Sequence, residues 1–142
     1  MDPIEVARRL LDAFNAADWD AFHATQAPDG VLEEVPTGRR AEGAEAIVAL
    51  MQGWKLAFPD GRGTVRNLFG SGNAVLLEVA WQATHTGPLV TEQGSIPPSG
   101  KSVRINTVLV LEVEGDQAKL TRHYFDLLQI LTPIGAVPAG AS

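Results

Sequence analysis

The sequence predicts an α+β fold, in which helices come first and antiparallel strands follow. Two observations support this prediction. Up to about residue 58 the apolar residues recur mostly at helical spacing, and from about residue 62 their period changes to two. Helices followed by a run of strands is typical of α+β proteins, whereas α/β proteins alternate the two element types along the chain.

Three helices and one short strand are predicted in the first half. The segment Asp2-Pro3-Ile4-Glu5 starts a helix, because Asp can cap it, Pro fits the first helical position and Glu completes a capping box. The predicted elements are a helix ending at about Ala17, a short helix capped by Asp18, a turn at 28–30, a strand at 31–35, a loop at 36–43 and a helix at about 44–58.

Four long strands are predicted in the second half. They lie at about 62–70, 74–86, 102–113 and 117–127, with hairpin turns at 70–73 and 114–116. The connection 87–101 is rich in proline and glycine and is too long for a tight hairpin. Connections of this length are often lids over a binding site.

The strand at 102–113 is apolar on both faces. Val103, Ile105 and Leu109 share one face, and Val108 and Val110 share the other. An antiparallel sheet with one solvated side should alternate more cleanly between apolar and polar residues. We therefore expect the second face to be covered by a second copy of the chain, in a homodimer that packs sheet to sheet.

Composition restricts the class of protein. The 142 residues contain no cysteine, which excludes disulfides, thiolate nucleophiles and zinc–sulfur sites. The net charge of −6 without a basic cluster disfavours nucleic acid as a partner. Because no apolar run approaches the ~20 residues of a membrane span and the N-terminus does not resemble a signal peptide, we expect a cytoplasmic protein without membrane association. We expect a single domain over 1–132 and a flexible C-terminal tail over 133–142.

The last strand carries the densest set of polar and aromatic side chains. Alternation places Leu120, Arg122, Tyr124 and Asp126 on one face and Thr121, His123 and Phe125 on the other. The face that bears the carboxylate can line a cavity and transfer protons, or it can be a polar outer face. His23 and His123 are predicted to be structural or surface residues. The three histidines are isolated in the sequence, so no metal site is expected.

Several short sequences point to a known family. They are Glu33-Glu34, Thr37-Gly38, Gly43, Ile47, Trp54 to Asp60, Thr84 to Leu89, Ile96 to Lys101 and Arg122 to Asp126. With the element order, they resemble the nuclear-transport-factor-2-like superfamily and, within it, the SnoaL-like polyketide cyclase (ester cyclase) family, over the chain up to Leu131. The resemblance implies a cone-shaped α+β barrel, with N-terminal helices packed on a curved antiparallel sheet around a deep pocket.

The resemblance also implies a chemistry. The family's aldol cyclisation needs no metal and no cofactor, since a base removes a proton beside one carbonyl and an acid protonates the alkoxide formed from another. It implies a hydrophobic, carbonyl-bearing, polyketide-like small molecule as substrate. An aspartate on the C-terminal strand is the family's acid/base, which implies this role for Asp126. The alternatives are a non-catalytic small-molecule-binding module and a hydrolase or isomerase on the same fold.

Further residues are candidates for the site. His85 shares a strand face with Trp81, so it is a candidate second proton carrier, or it only ties down the loop that follows it. Glu33 and Glu34 alternate, so at most one enters a pocket. Hydrolysis would need Asn106 with Asp126 to hold a water. The predicted substrate-binding residues are Trp54, Phe58, Trp81, Asn106, Arg122, Tyr124 and Glu34, with Trp19 and Phe69 as further aromatic candidates for the wall.

Overall fold

The computed structural model describes residues 1–137, which form four helices and eight strands. The helices are α1 (Pro3–Ala16), α2 (Trp19–Ala24), α3 (Ala44–Ala57) and α4 (Leu128–Leu131). The strands are β1 (Gln26–Glu34), β2 (Arg39–Glu42), β3 (Arg62–Ser71), β4 (Ala74–Thr84), β5 (Leu89–Thr91), β6 (Gly94–Ile96), β7 (Ser102–Glu114) and β8 (Gln117–Tyr124). The three predicted helices and the four long strands are confirmed. Among residues 1–137 no helix has the length and apolar character needed to cross a membrane.

Aspartate side chains begin the first two helices, as predicted. Asp2 accepts a hydrogen bond from the Ile4 backbone N–H at 2.9 Å, and Asp18 accepts one from the Ala21 N–H at 3.1 Å. Each bond satisfies a backbone donor that has no partner inside its own helix. Glu5 instead accepts from Arg9 one turn further along, at 3.1 Å, and so does not reach back to complete the predicted capping box.

Six of the eight strands form one sheet in the order β2-β1-β8-β7-β4-β3, and β5 and β6 form a separate hairpin. All neighbouring pairs are antiparallel except β1 and β8, which run parallel and pair Glu34 with His123. This pair corrects the expectation of an entirely antiparallel sheet. β1 is also longer than predicted, because the predicted turn at 28–30 lies inside it, where its register on β8 shifts between Gln26 and Val31.

The connection 87–101 is partly ordered as a hairpin of β5 and β6. It is anchored on the end of α3, where the Gly87 N–H donates to the Ala57 carbonyl at 3.1 Å. A Cβ atom at Gly87 would lie 1.8 Å from the Leu56 carbonyl oxygen, so only glycine permits this close approach. Leu89 of β5 is buried in the core beside the same helix end.

The core lies between the helices and the inner face of the sheet. Val75, Leu77 and Val79 of β4 are buried on the inner face, where β4 contacts α1, as the alternation predicts. A smaller second cluster includes Leu131 of α4 and Ile134, which is 6% exposed. The predicted tail therefore packs on the core at its beginning, and its residues 138–142 lie outside the described part.

Candidate functional site

An apolar cavity of about 100 Å³ lies between the helices and the inner face of the sheet. It is lined by Leu10, Leu11, Phe14, Phe22, Met51, Trp54, Phe58, Gly61, Trp81, Ala83, Val103, Ile105, Thr107, Leu109, His123, Phe125 and Ile130. No aspartate, glutamate, lysine or arginine of residues 1–137 belongs to this wall. Cavities of this kind disfavour water, because a water molecule needs two to four polar partners.

Aromatic side chains give the cavity flat and rigid walls. Trp54 stacks on Phe58 with ring centroids 6.4 Å apart, and Phe125 meets Trp54 edge-on at 5.9 Å. On the other side Phe14 meets Trp81 edge-on at 5.3 Å. Such edge-on and stacked pairs hold each other in place. Trp54, Phe58 and Trp81 therefore line the cavity as the sequence suggested, and their part in binding a substrate stays a prediction.

Of the residues 1–137 that line the cavity, His123 is the one with an ionisable side chain. Its ring lines the cavity, but both ring nitrogens are shut off from solvent and have no hydrogen-bond partner within the described chain. By contrast, the Trp81 indole N–H in the same wall donates to the Thr107 hydroxyl at 2.9 Å. Burial lowers the pKa of His123 to about 4, and the negative charge of Glu34 opposes this shift only in part. His123 is therefore a neutral imidazole at pH 7.

Glu34 is completely buried behind the cavity, at 0% exposure. Its Oε1 accepts from the Thr37 hydroxyl at 2.6 Å and from Arg39 Nε at 2.8 Å. Its Oε2 accepts from Arg39 Nη2 at 3.1 Å and from the Trp54 indole at 2.9 Å. Both oxygens are thus satisfied by two donors each, which a buried carboxylate requires. Glu34 is the inward member of the Glu33–Glu34 pair, but it lies behind the wall and does not line the cavity.

Asp126 does not face the cavity, contrary to the expectation for a catalytic acid/base. Its side chain is exposed, and its Oδ1 accepts from the Leu128 backbone N–H at 3.0 Å at the start of α4. The division of the last strand into two faces is as predicted. The face that precedes Asp126 turns outward, however, whereas a catalytic Asp126 would need it to turn toward the cavity. The face with Arg122 and Tyr124 points outward, because Thr121 and His123 fill the inner face.

His85 is buried but lies outside the cavity wall. Its Nδ1 accepts from the Ser99 backbone N–H at 3.1 Å and is 2.9 Å from the Ser99 hydroxyl. Its backbone also bonds Lys101 and Gly100. Burial lowers the pKa of His85, so the ring is neutral at pH 7. The structure therefore places it where the loop-anchoring interpretation requires and not beside the cavity imidazole.

The other polar candidates lie on the outer face of the sheet. Arg122 is 3.8 Å from Glu33 and 3.4 Å from Glu112 in surface ion pairs. Tyr124 is 43% exposed and Asn106 is also exposed. None of these lines the cavity, so the structure does not place the predicted substrate-binding residues Arg122, Tyr124 and Asn106 where they would contact a molecule held in it. The water-holding pair of Asn106 and Asp126 fails for the same reason.

The two remaining aromatic candidates also lie outside the wall. Trp19 packs edge-on against Phe14 and Phe22, behind the residues that line the cavity. Phe69 is 59% exposed on the outer face, where it pairs with Leu76.

Sequence reasoning missed His123, although a signal for it was present. Thr121, His123 and Phe125 form the uncharged face of the last strand, whereas the opposite face carries Arg122 and Asp126. In a sheet that buries one side, the uncharged face is the one that turns inward. A histidine on an otherwise uncharged strand face is thus the stronger candidate for a cavity residue. In residues 1–137 no three acidic or histidine side chains cluster closely enough to hold a metal ion.

Comparison with known proteins places this cavity in a familiar fold. A candidate SnoaL-like polyketide cyclase from Jannaschia sp. CCS1 superposes with a TM-score of 0.84 at 25% identity, covering 96% of this chain and 93% of its own. IdmH, a candidate polyketide cyclase from Streptomyces antibioticus, gives 0.79 at 21% identity, covering 95% and 99%. An epoxide hydrolase of the LEH-like type from M. tuberculosis gives 0.71 at 21%, covering 93% and 88%.

These likenesses confirm the cone-shaped α+β fold with helices packed on a curved sheet. A search of curated proteins found no match. The family model of the SnoaL-like polyketide cyclases matches residues 4–134, and so this chain belongs to the SnoaL-like polyketide cyclase family.

Proposed function

We propose that this protein is a cofactor-free enzyme that transfers protons on a compact, apolar, carbonyl-bearing molecule, with His123 as its acid–base group. The observation that carries the proposal is a neutral imidazole without a hydrogen-bond partner in the described chain, at the wall of an uncharged aromatic cavity. Ionisable groups in pockets with strongly shifted pKa values are often functional. Asp126 has no part in this mechanism, because its carboxylate lies outside the cavity.

The reaction is an intramolecular aldol addition in three steps. A nitrogen of His123 accepts a proton from the carbon beside a carbonyl, and the electron pair of the broken C–H bond moves onto the carbonyl oxygen to give an enolate. The enolate carbon then forms a bond to a second carbonyl carbon, whose oxygen becomes an alkoxide. The imidazolium returns its proton to that alkoxide. Atoms and charge balance, so one histidine serves as base and then as acid.

The ring must turn to reach a substrate. The polar atoms of the wall contribute no surface to the cavity, so it is the carbon edge of His123 that faces the space. The torsion between the Cβ atom and an aromatic ring is broad, so rotation about it is an inexpensive way to present a nitrogen. Hydrogen bonds of catalytic groups commonly form only once the substrate is bound.

The cavity volume limits the substrate. A cavity of about 150 Å³ takes a benzene molecule, and pockets for drug-sized ligands measure roughly 300–1,000 Å³. The about 100 Å³ of this cavity is smaller than that, so even a molecule of one ring requires a small outward movement of the walls. A polyketide of several fused rings requires a much larger one.

Deuterium exchange tests the proposal directly. Acetophenone has one ring and exchangeable methyl protons beside its carbonyl, and NMR in D2O follows their loss. We expect the protein to accelerate exchange, and His123→Leu to lower the rate by about 100-fold or more. Asp126→Asn is the matched control and should retain the wild-type rate. Exchange that survives in His123→Leu, or that is absent in the wild type, would overturn the proposal.

A non-catalytic binding module is the second candidate, favoured by the covered nitrogens of His123. Titration with acetophenone and ethylbenzene, followed by the fluorescence of Trp54 and Trp81, separates the two. Binding of both ligands with equal affinity and no exchange supports the module. A preference of about tenfold for the ketone, lost in His123→Leu, supports a hydrogen bond from the imidazole to the carbonyl.

We further propose that the outer face of the sheet joins two copies of the chain. Phe69 and Tyr124 are 59% and 43% exposed there, and Leu76, Val108 and Val110 lie half-buried between them. A face of this kind suits a symmetric dimer, in which the same patch meets itself. Sedimentation at micromolar concentration should show a dimer.

Substitution tests the same surface. Leu76→Asp should shift the sedimentation of the dimer to that of a monomer, because its cross-strand neighbours Phe69 and Val110 are apolar and leave the new charge unpaired in the interface. Val90→Asp places the same charge on the exposed β5 hairpin and should have no effect. A monomeric wild type would discard the dimer.

A further inference from the structure

The parallel pairing of β1 and β8 places Glu34 directly beside His123. The register pairs Leu32 with Thr121, Glu33 with Arg122, and Glu34 with His123. Leu32, Thr121 and Glu34 are buried on the inner face, whereas Glu33 pairs with Arg40 at 2.8 Å on the exposed side. Neighbouring strands are only about 4.8 Å apart, so the inward carboxylate lies next to the imidazole.

From the elements around it, no other charged group of the described residues faces His123. Opposite it on β7 are Leu109, its partner in the register, and Thr107, and the helices present only apolar and aromatic side chains to the cavity. Among the charged residues at 1–137, Glu34 is the one that acts directly on the protonation of His123. Its influence opposes the effect of burial, since a nearby negative charge stabilises the imidazolium.

The carboxylate of Glu34 is held in place from three sides. Arg39 binds it with two parallel bonds, Thr37 binds one oxygen, and the Trp54 indole binds the other. Arg39 is 30% exposed and does not line the cavity, so its charge partly neutralises Glu34 from outside the cavity wall. A buried ion pair is weak grounds for stability, because apolar replacements are often neutral or stabilising. Its position beside the cavity imidazole suggests an electrostatic use.

We propose that Glu34, with Arg39 as its counter-ion, is a positioning residue whose charge stabilises the imidazolium of His123 and whose bond to Trp54 fixes the adjoining wall. This inference rests on the proposed function. Arg39 limits how strongly the carboxylate acts on the ring. Without the carboxylate the cavity would resist the protonated state that follows removal of the substrate proton. Without Arg39, the full charge of the carboxylate would stabilise the imidazolium so strongly that His123 would not return its proton to the alkoxide.

Two substitutions test the pair in opposite directions. NMR titration of the His123 ring, assigned by its loss in His123→Leu, reports the pKa without any substrate. Glu34→Gln removes the negative charge and should lower the pKa of His123 below about 4. Arg39→Met removes the counter-ion and should raise this pKa toward its ordinary value of about 6.5. If Arg39→Met fails to fold, Arg39→Lys loses the second bond and should give a smaller rise.

The control is Glu33→Gln, which removes the same charge one residue earlier on the opposite face. It should leave the titration of His123 unchanged. For acetophenone exchange, Glu34→Gln should lower kcat by about tenfold and leave KM nearly unchanged, whereas a purely structural role would move both. Trp54→Phe retains the charge of Glu34 but loses the indole bond, so it should alter KM and leave the His123 titration close to that of the wild type.

Two results would overturn the inference. One is a pKa of His123 that is the same in Glu34→Gln and Glu33→Gln. The other is a pKa that moves in the same direction in Glu34→Gln and Arg39→Met. The titration is independent of turnover: a wild type without exchange activity would overturn the proposed function, and a retained shift would still support the coupling between the two side chains.

Discussion

The two faces of the sheet treat charge in opposite ways. On the outer face Arg122 forms ion pairs with Glu33 and Glu112, and all three side chains are at least one-third exposed. On the inner face Glu34 is fully buried and His123 has a pKa lowered to about 4. Exposed pairs contribute little free energy because water and salt screen them. A single histidine on a face without charged side chains is therefore a better candidate for a catalytic group than the exposed charges of the opposite face.

The largest expected difference between the faces is in activity. His123→Leu should reduce proton exchange on acetophenone by about 10²–10⁴-fold, the range for loss of a general acid–base group. Arg122→Gln, at the adjacent position on the outer face, should change the rate by less than about twofold, because its ion pairs are exposed. Initial rates by NMR measure both. Equal losses in the two variants would contradict the contrast drawn between the faces.

Stability should show the next largest difference. Leu77 and Leu76 are neighbours on β4, but Leu77 is completely buried and Leu76 lies half-buried on the outer face. Leu77→Ala should lower the free energy of unfolding by about 3 kcal/mol, since it leaves a cavity in the core. Leu76→Ala should cost about 1 kcal/mol in the monomer. Denaturant unfolding compares them, and a larger loss in Leu76→Ala would reverse the assignment of the faces.

The pH dependence of stability sharpens the comparison further. The pKa of His123 is about 4 in the folded state and about 6.5 when unfolded, so the unfolded chain binds more protons between these values. The contribution of neutral His123 to the free energy of unfolding is therefore complete above about pH 6.5 and is lost as the pH falls to about 4. This contribution is about 3 kcal/mol.

His123→Phe should flatten the stability profile in this window. The measurement is denaturant unfolding at several pH values between about 4 and 7, with the variant subtracted from the wild type. His23→Phe is the control, because His23 lies at the surface against Glu45 at 3.2 Å. Parallel profiles for the wild type and His123→Phe would mean that His123 is not buried as described.

The smallest effect is expected at Asp126. Its carboxylate accepts one bond from the Leu128 N–H at the start of α4, so Asp126→Ala should cost about 1 kcal/mol of stability. Exchange activity should remain near the wild-type rate. A loss comparable to that of His123→Leu would return this residue to the catalytic site.

Much of the fold was predictable because its signals are local. Asp2 and Asp18 mark helix starts through bonds to N–H groups two and three residues away. The alternation of β4 placed Val75, Leu77 and Val79 together on the buried face. The family follows from short sequences, which the match over residues 4–134 confirms.

The site was less predictable because it depends on contacts between distant segments. Alternation along β8 divides its residues into two sets, and only the lack of charge on one set indicates which of them turns inward. The parallel pairing of β1 with β8, which brings Glu34 beside His123, has no comparable signal in the sequence. The bonds from Arg39 and Trp54 to Glu34 also cross between elements, so the sequence predicts none of them.

The parallel neighbours β1 and β8 have a consequence for synthesis of the protein. β1 is synthesised before β8, and the ladder of hydrogen bonds between them joins β1 and β2 to the other four strands of the sheet. A nascent chain therefore has no complete cavity until β8 has left the ribosome. Contacts this distant in sequence slow the search for the native state. A chain cut short before β8 would thus lose its acid–base group and the middle of its sheet at once.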